Sequence, residues 1–210
     1  MVSFLTELSI KYDTNKLWHG YMSFYEKLFD SNRLTVKNFL EIGIDQGSSL
    51  MVWKDYFVHS NIYGIDLVIP DRVNNHERLI CGIADQSDSN QLKALLDNWN
   101  SPVFDSILDD GGHSVKQQRV SIETLWPSLK SGGYYIIEDL HTNIRSMHFI
   151  HPHLNANSTH IDEQPSMHER ILNIMAGSTS EFSFPTSEIQ EIYYFNTPNK
   201  LSLSCAIKKF

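Results

Sequence analysis

Apolar and polar positions follow two rhythms along the chain. Short apolar runs rich in β-branched and aromatic residues recur as NFLEIG (38–43), NIYGID (61–66), RLICG (78–82), FDSILD (104–109) and GYYIIE (133–138), and these read as strands. Between them, SSLMVWKDYF (48–57), SDSNQLKALLDNW (87–99) and VKQQRVSIETLWPSL (115–129) place apolar residues at helical spacing. Strands alternating with helices imply βαβ units and an α/β fold with a doubly wound, Rossmann-like, mostly parallel sheet. Two late runs, EIQEIYYFN (188–196) and LSLSCAIKKF (201–210), flank the turn-forming TPNK and predict a C-terminal antiparallel hairpin. A helical leader over 1–36, clearest at MSFYEKLF (22–29), precedes the first strand. From 141 to 187 the chain turns polar around one helical piece, MHERILNIMAG (167–177), the pattern of a lid or acceptor-binding insertion. We expect a single domain over 1–210.

Charge narrows the functional classes. The 17 basic and 25 acidic residues give a net charge of −8, which argues against nucleic acid as the main partner. Cys81 and Cys205 form no disulfide framework, no apolar run is long enough to span a membrane, and the expected location is cytoplasmic. Nothing in the sequence decides whether the protein is a homo-oligomer. A domain cut from a larger glycan-modifying protein would read the same way.

Several strand ends carry polar groups. After the first strand, GIDQGSS offers Gly43 and Gly47 for a tight turn, but Asp45 occupies the middle position of the dinucleotide fingerprint and would repel a pyrophosphate there. Asp66 ends the second strand, where a carboxylate is placed to accept hydrogen bonds from ribose hydroxyls; a strand-end cap is the plainer alternative. Asp85 with Gln86 could read an adenine edge, and Asp88 could cap the next helix. Two acid pairs follow strands, Asp109–Asp110 and Glu138–Asp139, with His113 and His141 close behind each. Either pair alone could cap a helix, whereas both at corresponding strand ends point to a metal or catalytic site.

Glu41, Gly43, Asp66, Asp85 and the DDGGH segment together resemble the class I S-adenosylmethionine-dependent methyltransferases. KYDTNKLWHGYMSFYEKLF, EIGIDQGSSLMVWKDYF, GIADQSD, LDDGGH and IIEDLHT, in that order, narrow the resemblance to the metal-dependent O-methyltransferases of the mycinamicin and rebeccamycin sugar-modifying kind. It covers roughly residues 10 to 142. It departs at Gly112, where the family more often has serine. The resemblance implies an S-adenosyl-L-methionine site involving Tyr12, Lys16, Glu41, Gly43, Ser48, Asp66, Asp85, Gln86 and Asp109. It also implies Mg2+ or Mn2+ on Asp110, Glu138 and Asp139, and a glycoside or glycan hydroxyl as acceptor. Trp18, His19 and Tyr21 would close over the cofactor.

The chemistry supports these roles. A sugar hydroxyl is a poor nucleophile at neutral pH, and a cation on hard carboxylate ligands would acidify it. Histidine titrates nearest neutrality, which suits His113 as general base, with Asp110 on the cation and His141 as a supporting or acceptor contact. Asp109, pointing to the opposite face from Asp110, fits a place against the cofactor or the loop backbone. HFIHPH invites a zinc reading, but no cysteines or second cluster accompany it. A catechol O-methyltransferase and a non-catalytic S-adenosylmethionine-binding module remain open as other readings.

Overall fold

The structure, a computed structural model, describes residues 2–144, 160–197 and 202–210. Among these residues, seven strands form one sheet: β1 (Asn38–Ile42), β2 (Asn61–Asp66), β3 (Leu79–Ile83), β4 (Phe104–Asp109), β5 (Leu129–Ile137), β6 (Ile189–Asn196) and β7 (Leu203–Lys209). Their order is β3-β2-β1-β4-β5-β7-β6. The pairings from β3 through β5 are parallel, while β7 runs antiparallel to both β5 and β6.

Among the described residues, seven helices accompany the sheet: α1 (Phe4–Tyr12), α2 (Asn15–Trp18), α3 (Met22–Phe29), α4 (Ser48–Tyr56), α5 (Ser89–Asn98), α6 (Val115–Leu125) and α7 (Met167–Met175). Pleating sends alternate residues of each strand to opposite faces, so two cores form. Leu40 and Ile42 of β1 join Leu92 of α5, Ile122 of α6 and Ile171 of α7 on one face. Phe39 joins Tyr25 and Phe29 of α3 and Trp53 of α4 on the other. A sheet covered on both faces explains why its central strands are nearly continuous apolar runs.

Most boundaries fall where the sequence pattern places them. Asp88 accepts from the backbone N–H groups of Asn90 and Gln91 and so caps α5, while Ser114 and Gln117 form a capping box at the start of α6. One expectation needs correction: the helix predicted over 115–129 stops at Leu125. Pro127 has no N–H to continue it, the chain tightens into a short 3-10 turn at Trp126–Ser128, and β5 already begins at Leu129. Residues 145–159 and 198–201 lie outside the described residues, and with them HFIHPH and most of TPNK.

Candidate active site

The strand order reverses between β1 and β4, and ligands of open α/β sheets sit beyond the carboxyl ends of strands at such a point. A cavity of 510 Å3 opens there, lined by Gly43, Ser48, Asp66, Asp85, Gln86, Asp110, His113 and Asp139 among others. The two loops at the switch point touch. A Cβ on Gly43, whose φ is +90°, would lie 2.1 Å from the carbonyl oxygen of Asp110, so only glycine lets these backbones cross.

The Asp66 carboxylate hangs over this crossing. One oxygen accepts from the N–H groups of Ile44 (2.6 Å) and Asp45 (3.0 Å), and the other from Leu67 N–H. It orders the loop and still lines the cavity. Asp85 accepts from Ser87 N–H at the cavity wall. Gln86 has another occupation: its Nε2 donates to Asp109 Oδ1 and Ser121 Oγ, both at 3.0 Å, and its Oε1 accepts from Gly112 N–H at 2.7 Å. It clamps the DDGGH turn from below, leaving little of its amide to read a base.

One corner of the cavity gathers Asp110, His113 and Asp139, each offering a ligand atom within 4.8 Å of the others. His113 Nε2 lies 3.8 Å from Asp110 Oδ1 and 3.7 Å from Asp139 Oδ2. The two carboxylates at this spacing suit a hard divalent cation, with the imidazole standing beside them. Burial alone would raise the Asp139 carboxyl, but His113, a 2.6 Å hydrogen bond from Tyr21 Oη and the neighbouring His141 hold it below the usual carboxylate range.

Six expected residues do not line the cavity. Asp109 is buried beneath the turn, where burial pushes its carboxyl up to about 6 against the hydrogen bond from Gln86. Glu41 is buried, accepts from Ser49 Oγ at 2.8 Å, and is pushed up to about 7 by burial, partly offset by Lys16. Glu138 stands behind Asp110, its Oε1 engaged by Lys16 Nζ at 3.0 Å and by the Tyr25 hydroxyl; burial and Asp110 hold it well above the usual range. Lys16 itself is buried among these acids. Tyr12 donates to Asp55 at 2.5 Å and packs α1 on α4. His141 is buried with its Nδ1 3.9 Å from Asp139 Oδ1. Of the residues expected to close over the cofactor, Trp18 is 78% exposed, while His19 stacks on the buried Tyr21.

Other groups emerge only from the structure. Asp13, Thr14 and Asn15 form a wall of the cavity. His113 has φ +59°, a left-handed conformation uncommon for non-glycine residues. Its carbonyl accepts from Asn143 Nδ2 (3.3 Å) and Thr142 Oγ1 (3.2 Å), and Asn143 also donates to Gln118, whose own amide donates to the Glu138 carbonyl. This network ties the two acid-bearing loops together. The return limb of the polar insertion docks here too, with Asp162 accepting from Ser114 Oγ (2.8 Å) and Lys116 N–H (3.0 Å). Tyr21 and Tyr25 lie four apart, so helical spacing could have flagged two hydroxyls on one side of the leader. Asn143 and Asp162 carry no such signal.

The chain is similar to known proteins in sequence and in fold. By sequence, the chain is 32% identical over 147 residues to the 8-demethyl-8-(2-methoxy-alpha-L-rhamnosyl)-tetracenomycin-C 3'-O-methyltransferase of Streptomyces olivaceus, a match covering 66% of this chain and 37% of the relative. It is 36% identical over 149 residues to the demethylmacrocin O-methyltransferase of Streptomyces fradiae, covering 66% and 36%. By structure, it is similar to the MycE methyltransferase of the mycinamycin biosynthetic pathway in complex with Mg, SAH and mycinamycin VI. The TM-score is 0.79 at 24% identity, covering 99% of this chain and 54% of that one. The chain has the class I methyltransferase fold and is a relative of sugar O-methyltransferases. It spans little more than a third of the length of the curated relatives that it matches, 36–38%. No family model matches the chain. Among the described residues no helix is long and apolar enough to cross a membrane.

Proposed function

We propose that this chain is the catalytic domain of an S-adenosylmethionine-dependent, divalent-metal-dependent O-methyltransferase that acts on a sugar hydroxyl of a glycoside or glycan. The observation that carries the reading is the cluster of Asp110, His113 and Asp139 at one corner of a cavity located at the switch point. Relatives named for sugar O-methylation and a structural neighbour bound to Mg and SAH support it. A catechol acceptor has no comparable support among these relatives.

In this scheme the loop around Gly43 and the carboxylates of Asp66 and Asp85 seat the nucleoside end of the methyl donor, with Ser48 at the rim. Asp110 and Asp139 would hold the cation; Glu138, whose Oε1 is taken by Lys16 and Tyr25, would reach it only through its other oxygen. Bound magnesium or manganese would lower the pKa of the acceptor hydroxyl, and adenosylmethionine would supply a methyl group whose leaving group is a neutral thioether. His113 Nε2 takes the hydroxyl proton. The Asn143 and Thr142 bonds hold its backbone in the left-handed conformation that aims the ring at Asp110 and Asp139. The remaining contribution is alignment, which can be worth about 7–11 kcal/mol. The insertion over 141–187 would cover the acceptor, and the cysteines suit a reducing, cytoplasmic setting.

The test is calorimetry with S-adenosylhomocysteine and Mg2+, followed by a mass-spectrometric screen of glycosides for gain of one methyl group. Turnover should stop with a chelator and return with Mg2+ or Mn2+. His113→Ala should lower the rate by about 100-fold or more while retaining cofactor affinity. Full turnover in chelator would remove the metal from the scheme.

A further inference from the structure

Lys16 is only 2% exposed. It comes from the short leader helix α2, yet its Nζ contacts Asp110 Oδ2, lies 3.0 Å from Glu138 Oε1 and 3.4 Å from Glu41 Oε1. These acids sit at the carboxyl ends of three different strands, β1, β4 and β5. Burying an ammonium or a carboxylate alone costs several kcal/mol, and removing one partner of such a set strands the others. The acids offset that cost for the lysine, as the lysine does for them. Of the four, only Asp110 also lines the cavity, and it divides its carboxylate: Oδ2 turns inward to Lys16, while Oδ1 turns toward His113. The inward anchor fixes which oxygen is presented outward.

We propose that Lys16 is a positioning residue for the divalent-cation site, an internal ammonium that pins Asp110 and Glu138 from behind and thereby ties the leader to metal binding. This rests on the metal reading proposed above. The role differs from a contact with the methyl donor, since Lys16 does not line the cavity while its neighbours Asp13, Thr14 and Asn15 do. Groups that orient metal ligands from behind typically contribute about 10–100-fold to metal affinity.

The experiment is a Mn2+ titration of the whole chain, followed by loss of the free-ion electron paramagnetic resonance signal, on wild type, Lys16→Met and the double variant Lys16→Met/Glu41→Gln. The double variant removes a buried acid along with its counter-charge, and so preserves the fold where the single variant strands a carboxylate. Cooperative thermal unfolding reports on folding in each. The expected result is Mn2+ binding weakened about 10–100-fold in both variants, with stability recovered in the double variant and metal affinity not recovered. Recovery of both would reduce Lys16 to a structural counter-ion and overturn the proposal. Mn2+ binding as tight as wild type, or tighter, in the folded double variant overturns it as well and leaves the metal reading standing. A wild-type chain that binds no Mn2+ removes the metal reading and this inference with it.

Discussion

Gly43 shows how much can hang on one absent side chain. An alanine methyl at this position would overlap the Asp110 carbonyl, backbone against backbone, at a φ of +90°. Gly43→Ala should therefore cost about 1–3 kcal/mol of stability, read by urea denaturation, and should weaken metal binding because Asp110 must move. Stability equal to wild type would show that the two loops do not cross so closely. The glycine itself was legible in the sequence as a tight-turn residue. Its partner was not, because Asp110 lies on a different strand and only the parallel pairing of β1 with β4 brings the two loops together. Gly112 has a similar history: where the family more often has serine, a Cβ would meet the Gln117 amide, which folds over the gap in this chain.

Elements succeed or fail at their ends. Asp162 reaches across 46 residues of sequence to accept from Lys116 N–H, and so adds an external cap to the first turn of α6, immediately after the proposed base. Asp162→Ala should cost about 0.5–2 kcal/mol of stability, measured by chemical denaturation, and should slow methyl transfer more than it weakens cofactor binding. At the opposite, amino ends of the central strands, Asp105 on β4 accepts from Lys37 N–H (2.8 Å) and Asn38 N–H (3.0 Å), and from Lys130 Nζ (2.8 Å), so one carboxylate joins the starts of β1 and β5. Burial opposes ionisation there, but Lys130 and the two N–H groups outweigh it and hold the carboxyl below its ordinary 3.8. A lowered carboxyl stabilises the fold above its unfolded value and loses that contribution as pH falls. Wild type should lose stability below about pH 4, and Asp105→Asn should flatten that limb in denaturation curves measured against pH.

At the scale of the molecule, the sheet order produces the site. The winding reverses at β1 and β4, which leaves a crevice with no crossover helix above it, and every cavity-lining acid but Asp13 of the leader sits at a strand's carboxyl end or in the loop that follows. A ligand that binds this crevice holds two halves of the sheet together. S-adenosylhomocysteine at 100 times its dissociation constant should stabilise the fold by about 2.7 kcal/mol. For a chain of this size that corresponds to a rise in Tm of roughly 5–11 °C by differential scanning calorimetry. No rise would argue against the cavity as the cofactor site.

The sequence by itself determined the alternation of strands and helices, the antiparallel end of the sheet and the polar strand ends. These depend on periodicity and local capping, which neighbouring residues carry. It also marked Asp110, His113 and Asp139, because acids after apolar runs stand out without any knowledge of contacts. Only the tertiary structure sorted the acids into those that face the cavity and those that do not. Asp110 and Asp139 line it, whereas Glu41, Glu138 and Asp109 are turned inward to Lys16, Tyr25 and Gln86. Orientation at a strand end is set by which partner side chain arrives from elsewhere in the chain, and Lys16 arrives from 94 residues before Asp110 and 122 before Glu138. No local pattern encodes that meeting.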